Sequence, residues 1–146
     1  MDTRTTLPIL ERVLLLRRVP LLADLTPNDL QRVASLATEH HIETGEVLFE
    51  QDDPGEEMYV IVHGNMKIMV RTGETEKEFT RRGVGEVIGE MSVISGEPRN
   101  ASVIATEETH LLCLDKKNFE GLLRERPEVG LAVMRVLCSR LKEATR

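Results

Sequence analysis

The stretch that decides the fold runs from Gly85 to Ser102 and reads GEVIGEMSVISGEPRNAS. It places Glu90 directly after a glycine and Arg99 nine positions later, with a short apolar run and a Gly/Pro turn between them. The planar donor fork of an arginine matches phosphate oxygens, and the free N–H groups at a helix N-terminus attract the same anion. Glu90 adds carboxylate oxygens that can accept hydrogen bonds from paired sugar hydroxyls. The stretch therefore predicts a pocket for a ligand with a phosphate and a ribose.

The same stretch resembles the phosphate-binding cassette of cyclic nucleotide-binding domains. The resemblance rests on Gly89–Val93 followed by Pro98–Ser102, because Gly-Glu, the spacing and Pro-Arg all coincide there. Upstream, Gly45–Gly55 and Met58–Gly64 resemble the glycine-marked strand pairs of this family. The likeness runs from about Val19 to the C-terminus and so covers most of the chain.

The resemblance implies a fold of the α+β class that is mainly β. Its centre is an eight-stranded, jelly-roll-like β-roll, flanked by N-terminal helices and by two C-terminal helices that serve as hinge and lid. The chain then forms one cyclic nucleotide-binding domain with three segments. They are an N-terminal helical segment at 1–39, the β-roll at 40–115 with its cassette at 85–102, and the C-terminal helices at 116–146.

The apolar pattern supports this order of elements without the resemblance. Helical spacing predicts helices over Leu7–Arg18 and Thr26–Glu39, a short helix after Asp115, and a final helix from Pro127. Between the second and third helices the period changes to alternation, broken by glycine-marked turns, which is typical of a sandwich or small barrel. The predicted strands lie near residues 47–49, 58–62, 66–70, 101–105 and 109–114.

The resemblance assigns roles to the charged residues of the cassette. Arg99 is expected to contact the phosphate and Glu90 the ribose 2′-hydroxyl, while Gly89 keeps the backbone clear of the ligand. Asn100 stands where the family often has Ala, Ser or Thr, and Thr there favours the guanine nucleotide. The choice between cyclic AMP and cyclic GMP therefore stays open. The expected ligand-binding residues are Gly89, Glu90, Met91, Ser92, Pro98, Arg99, Asn100 and Ala101.

The base of such a ligand needs an apolar surface, and the chain has only three Phe, one Tyr and no Trp to stack on it. The candidates for an apolar wall or lid around the base are one residue of a predicted strand and three residues of the last helix. They are Val70, Leu131, Met134 and Leu137. Packing on the roll or against a dimer partner accounts for the three residues of the last helix equally well, and core packing is the favoured interpretation of Val70.

Composition bounds the class of protein. The 146 residues suit one domain, and a formal charge of −6 argues against a nucleic-acid binder, which is normally basic. The apolar run Val13–Leu16 is too short to span a bilayer, so we expect a soluble, cytoplasmic chain. Cys113 and Cys138 lie in apolar segments and are expected to be buried free thiols in a reducing compartment.

The titratable residues give no pattern for a metal or a catalytic centre. His40 and His41 are adjacent and point to opposite faces of a strand, while His63 and His110 stand alone in the sequence. The acidic pair Glu56-Glu57 is interpreted as part of a solvated turn. We therefore expect no enzyme activity, no metal and no cofactor.

Three hypotheses on function remain. The first is a sensing module that binds cyclic AMP, or cyclic GMP, and relays binding through movement of the C-terminal helices to an output domain or partner outside this chain. The second is a degenerate β-roll with an empty pocket that acts through protein contacts. The third is a jelly-roll enzyme, which the lack of metal ligands disfavours. A homodimer through the last helix is a further candidate assembly.

Overall fold

The structure, a computed structural model, describes residues 7–145, which form five helices and eight strands. The helices are α1 Ile9–Leu16, α2 Pro27–Leu36, α3 Glu90–Ser95, α4 Lys116–Glu125 and α5 Pro127–Ala144. The strands are β1 Thr38–Ile42, β2 Val47–Phe49, β3 Glu57–His63, β4 Met66–Thr72, β5 Thr75–Arg82, β6 Val87–Ile88, β7 Ser102–Ala105 and β8 Thr109–Asp115. This order confirms the predicted fold: mainly β, with helices before and after the strands.

The described residues divide into two compact units. The helical unit takes its described residues from 7–36 and 117–145, and it holds α1, α2, α5 and all of α4 after Lys116. The roll unit, Ala37–Lys116, holds the eight strands and α3. The roll unit contains the whole stretch 85–102 and therefore the cassette.

The strands of the roll unit form two antiparallel four-stranded sheets. Their orders are β1-β8-β3-β6 and β2-β7-β4-β5. Strand β6 lies at the edge of the first sheet, and β7 lies inside the second between β2 and β4. The cassette therefore begins on an edge strand of one sheet and ends on an interior strand of the other.

The core of the roll unit is almost entirely aliphatic, as the scarcity of aromatic residues requires. Tyr59 and Ile61 of β3 pack with Leu111 and Cys113 of β8 in one buried cluster. Strand β3 is also buried on its other face, where Met58 and the two valines lie. The remaining members of the cluster are Ile42, Met66, Ile88, Val103 and Ala105.

The second helix begins as the sequence predicts and ends earlier. The backbone N–H of Asp29 donates to Oγ1 of Thr26 at 3.2 Å, which satisfies one of the free amides of the first turn. The helix ends at Leu36 rather than at Glu39, because Thr38 already pairs with Cys113 in the β1–β8 ladder. Within the same unit Arg126 forms an ion pair with Asp29, and this hydrogen-bonded pair lowers the pKa of the carboxyl.

The last helix begins at Pro127, where the sequence places it. It buries one narrow stripe and leaves Leu131, Met134 and Cys138 exposed. The prediction of two buried thiols is therefore wrong for Cys138, which falls on the outward side of the helix, and correct for Cys113. None of the helices in residues 7–145 combines the length and the apolar character that a membrane crossing requires.

Candidate ligand-binding site

The cassette is built from tight backbone turns around a short helix. After β6, Gly89 takes up a left-handed conformation with φ of +83° and starts α3, and Gly96 ends the helix with φ of +77°. Left-handed backbone favours glycine because a Cβ is crowded there. The chain then reaches Arg99, whose backbone N–H donates to the carbonyl of Asp53 at 2.8 Å. In return, the backbone N–H of Asp52 donates to the carbonyl of Arg99 at 2.8 Å, so the arginine is fixed to the loop after β2.

The guanidinium of Arg99 lies inside the roll unit. The residue is 4% exposed, and Nη1 donates to the carbonyl of Gly89 at 3.0 Å while Nη2 donates to the carbonyl of Glu57 at 2.7 Å. Its Cζ lies 4.1 Å from the ring centroid of Phe49, a distance typical of a cation–π contact. These contacts fix the orientation of the guanidinium plane.

The charge of Arg99 has no anionic partner at ion-pair distance within residues 7–145, and its buried Nε has no hydrogen-bond acceptor there. Burial lowers the pKa of Arg99, and the nearby Tyr59 and Glu57 oppose that shift. An arginine nevertheless stays protonated at neutral pH. Because an unpaired buried charge is costly, the arrangement favours an anion that would accept from the guanidinium.

Two glycines make room for this side chain. A Cβ on Gly55 would lie 2.4 Å from Nε and 2.7 Å from Cδ of Arg99. A Cβ on Gly89 would lie 2.6 Å from Nη1 and 3.0 Å from the carbonyl oxygen of Glu57. Neither position tolerates even an alanine without displacing the guanidinium.

Gly55→Ala is therefore expected to move the guanidinium without changing its chemistry. Gly55 does not have positive φ, so alanine fits the backbone and the clash falls on Arg99. We expect cyclic nucleotide binding to weaken about 10- to 100-fold, the cost of one charge-assisted hydrogen bond, measured by isothermal titration. Gly83→Ala is the matched control, since its Cβ meets only Nδ2 of Asn65 at 3.4 Å. Equal affinity of both variants would contradict the tight packing of Arg99.

The other predicted ligand residues fall into buried and exposed groups. Glu90 and Ser92, on the first turn of α3, are 2% and 4% exposed, and Ala101 is also buried. Met91 is 43% exposed, and Nδ2 of the exposed Asn100 lies 3.5 Å from its sulfur. Pro98 is exposed. The structure thus brings Arg99 against Gly89 and Asn100 against Met91.

The candidate wall and lid residues are spread over both units. Val70 of β4 is half-buried in the roll unit. In the helical unit, Leu131 and Met134 of α5 are 49% and 58% exposed, and Leu137 is half-buried. Their role toward a ligand stays a prediction.

Sequence reasoning missed the residues that hold Arg99 in place. They lie 50, 44 and 42 positions before it and are Phe49, Gly55 and Glu57. The ring of Phe49 packs on the guanidinium, Gly55 leaves space for it, and the carbonyl of Glu57 accepts its hydrogen bond. The interpretation of Glu57 as part of a solvated turn is wrong, because it begins β3 and its carboxylate accepts a hydrogen bond from the Cys113 thiol at 2.8 Å. Only the resemblance of the stretch Gly45–Gly55 to the family offered a signal for this support.

His110 stands alone in the sequence, but strand pairing gives it a neighbouring histidine in the structure. Strands β1 and β8 pair antiparallel with His41 opposite His110, and the two rings stack with centroids 4.0 Å apart. Glu39, two residues before His41, joins them on the same face. The separation of 69 positions between the histidines hid this cluster, because only strand pairing brings them together.

Stability should fall at alkaline pH because two core groups stay protonated in the folded state. Burial and the Glu57 carboxylate raise the pKa of the Cys113 thiol to about 12, from an ordinary 9.0. Burial, followed by the charge of Glu57, raises the pKa of Tyr59 to about 12, from 10.0. Between pH 9 and 12 the unfolded chain therefore holds fewer protons, and the free energy of unfolding falls as pH rises.

Urea unfolding of the parent and of Cys113→Ala from pH 8 to 11 measures this effect. Each unit of raised pKa corresponds to about 1.4 kcal/mol. The cost of the substitution should therefore shrink steadily above pH 9. A cost that is the same at every pH would show that the thiol does not titrate differently in the two states.

Comparison with known proteins places this geometry in a family. The family model described as "Cyclic nucleotide-binding domain" matches residues 39–126. The chain is 31% identical over 126 residues to the Cyclic AMP receptor protein of Thermus thermophilus, covering 86% of this chain and 58% of that protein. It is 30% identical over 109 residues to the cAMP-dependent protein kinase regulatory subunit of Colletotrichum orbiculare, covering 74% of this chain and 27% of that protein.

A solved structure agrees with the sequence comparisons. The crystal structure of the Thermus thermophilus Catabolite Activator Protein superposes with a TM-score of 0.79 at 31% identity, covering 86% of this chain and 60% of that one. The chain thus spans less than two thirds of these relatives, and the family model covers the roll, its cassette and α4. With the family model covering more than half of its residues, the chain belongs to the cyclic nucleotide-binding domain family.

Proposed function

We propose that this chain is a sensing module that binds cyclic AMP without chemical turnover. The observation that carries the proposal is the buried guanidinium of Arg99, which is held by two backbone carbonyls and has no anionic partner at ion-pair distance among the described residues. A cyclic phosphate would supply the acceptor that this charge needs. The surrounding residues Gly89, Glu90, Met91, Ser92, Pro98, Asn100 and Ala101 would form the rest of the site.

Cyclic AMP is the proposed ligand rather than cyclic GMP for two reasons. Two relatives at or above 30% identity carry cyclic AMP in their names. In addition, residue 100 is an asparagine and not the threonine that favours guanine at this position in the family. Cyclic GMP remains the second ligand to be tested.

Thermal unfolding with cyclic AMP, cyclic GMP and plain AMP tests the proposal. A ligand at 100 times its Kd adds about 2.7 kcal/mol to the folded state. That should raise the midpoint by roughly 5–10 °C for a domain of this size. A shift with cyclic AMP, a smaller one with cyclic GMP and none with AMP is expected. A cooperatively folded sample that shifts with none of them would instead favour a β-roll acting through protein contacts.

Cyclic AMP recovered unchanged after incubation would agree with binding without turnover.

Glu90→Gln tests the sugar contact. The side chain is buried on the first turn of α3, and the amide that replaces it has one acceptor oxygen instead of two. We expect affinity for cyclic AMP to fall less than after loss of Arg99, and the preference for ribose over 2′-deoxyribose to narrow. Competition binding with cyclic AMP and its 2′-deoxy analogue measures both quantities. An unchanged preference for ribose would remove Glu90 from the sugar contact.

The output would pass through the C-terminal helices. Ligand can shift a helix arrangement only if it binds one arrangement better than the other. The exposed Leu131 and Met134 are the proposed apolar surface of α5, whether it covers the base, meets a second copy or contacts an effector. A fluorophore on the exposed Cys138 would report movement of this helix, because the other thiol is buried. We expect cyclic AMP, and not AMP, to change its emission; identical spectra would contradict movement of α5.

A further inference from the structure

A cluster of two histidines and one glutamate lies on one face of the sheet β1-β8-β3-β6. His41 of β1 and His110 of β8 are direct cross-strand partners, and Glu39 lies two residues from His41 on the same strand and face. The imidazole rings stack with centroids 4.0 Å apart and planes inclined by 22°. Strand pairing therefore fixes three ligand-type side chains side by side.

The distances within this cluster are too long for hydrogen bonds and a few tenths of an ångström longer than the spacing of metal ligands. Oε2 of Glu39 lies 3.9 Å from Nε2 of His41 and 3.7 Å from Nε2 of His110. Hydrogen bonds between nitrogen and oxygen are normally about 3.2 Å or shorter. Around a tetrahedral Zn²⁺, with bonds of about 2.0–2.2 Å, neighbouring ligand atoms are about 3.4 Å apart. The three atoms lie within 4.8 Å of one another. Because the stacked rings direct their nitrogen lone pairs side by side, one imidazole would have to rotate for both nitrogens to bind one ion.

Burial adds to the case. The side chains of Glu39, His41 and His110 are only 11%, 14% and 13% exposed. They are thus largely withdrawn from water but not sealed from it. In the metal-bound state, one carboxylate and two neutral imidazoles would offset half of the charge of a divalent cation.

We propose that Glu39, His41 and His110 form a binding site for a divalent transition-metal ion, of which Zn²⁺ is the best-suited example. Imidazole nitrogen and carboxylate oxygen are ligands that zinc favours, and three protein ligands leave a fourth position for water. The site is separate from the candidate nucleotide site. Leu111 faces the core cluster of the roll, so the adjacent His110 faces the opposite side of the sheet. The proposal therefore stands whether or not the chain binds cyclic AMP.

A second group of ligand-type residues, His40, Glu57 and Cys113, provides the competing location. There the Cys113 thiol already donates to the Glu57 carboxylate at 2.8 Å. Zinc would have to displace that hydrogen bond and remove the thiol proton, which burial opposes. The cluster of Glu39, His41 and His110 contains no thiol, so metal binding there requires no deprotonation of a buried cysteine.

Isothermal titration of the chelator-treated full chain with Zn²⁺ tests the proposal. We expect one ion per chain, and Co²⁺ in its place should give the visible absorption of a tetrahedral site with nitrogen ligands. His41→Gln and His110→Gln should each weaken zinc binding by at least about 100-fold, because outer-shell changes alone cost 10- to 100-fold. Mg²⁺, which prefers an all-oxygen octahedral shell, should not compete.

His40→Gln is the matched control, one residue from His41 on the opposite face of the strand. It should bind zinc as the parent does, and so should Arg99→Leu, which separates this site from the nucleotide site. Loss of zinc in His40→Gln would move the metal to the competing group and overturn the proposal, as would parental affinity in His41→Gln or no binding by the parent. Thermal unfolding without metal checks that each variant folds; if His41→Gln does not, Glu39→Gln and His110→Gln decide.

Discussion

Arg99→Leu should weaken binding of cyclic AMP by about 2–5 kcal/mol, which is roughly 30- to 5,000-fold in Kd. The guanidinium is 4% exposed and lacks an ion pair among the described residues, so a cyclic phosphate bound there would form a charge pair largely removed from water. Removing one partner of such a pair leaves the phosphate without its counter-charge. Isothermal titration of parent and variant measures the loss directly.

Two further variants make this test specific. Arg81→Leu removes an exposed arginine of β5 that pairs with Glu78, and it should bind as the parent does. Arg99→Lys keeps the charge but loses the planar fork, so its affinity should lie between parent and leucine variant. If Arg99→Leu binds cyclic AMP as tightly as Arg81→Leu does, the phosphate site lies elsewhere.

The role of Arg99 is wider than the sequence indicated. The motif predicts a side chain that faces ligand rather than core. In the structure Arg99 also donates hydrogen bonds to the carbonyls of Gly89 and Glu57 and packs on the ring of Phe49. Thermal unfolding of the ligand-free variants must therefore accompany every binding measurement.

Gly64→Ala should destabilise the fold by at least about 3 kcal/mol, lowering the midpoint of thermal unfolding by roughly 10 °C. Gly64 connects β3 to β4 with φ of +104°, where alanine is strained. Its Cβ would also lie 2.4 Å from Oγ1 and 2.7 Å from Cα of Thr109, and 2.7 Å from the carbonyl oxygen of Glu108. Most of these neighbours are backbone or fully buried, so they cannot move aside cheaply.

Gly73→Ala provides the matched comparison for this effect. Gly73 also connects two strands and has φ of +66°, but a Cβ there meets nothing within 4 Å. It should cost only about 1 kcal/mol, the strain of the left-handed backbone. Scanning calorimetry of both variants separates backbone strain from steric clash. Similar midpoints would mean that the contact with Thr109 relaxes.

Short sequence signals predicted helix starts and turns correctly where these depend on residues close together in the chain. Thr26 and Pro27 mark the start of α2, Pro127 marks the start of α5, and glycine-marked turns separate the strands. A helix cap, the fixed φ of proline and the positive φ of a turn glycine each depend on a few neighbouring residues. These features can therefore be recognised in the sequence. The end of α2 was misplaced because a partner strand from far along the chain takes up the residues after Leu36.

The sequence by itself determined the family and the mainly β fold, because motifs of residues close in the chain carry both, and it predicts Glu90 and Arg99 as the charged residues of the site. Only the tertiary structure decided what surrounds them. It brought Phe49, Gly55 and Glu57 to Arg99, and it paired His41 with His110 across two strands. The physical reason is that strand register and sheet order join residues by hydrogen-bond ladders over long stretches of chain, and one sequence contains no local trace of which strands will pair.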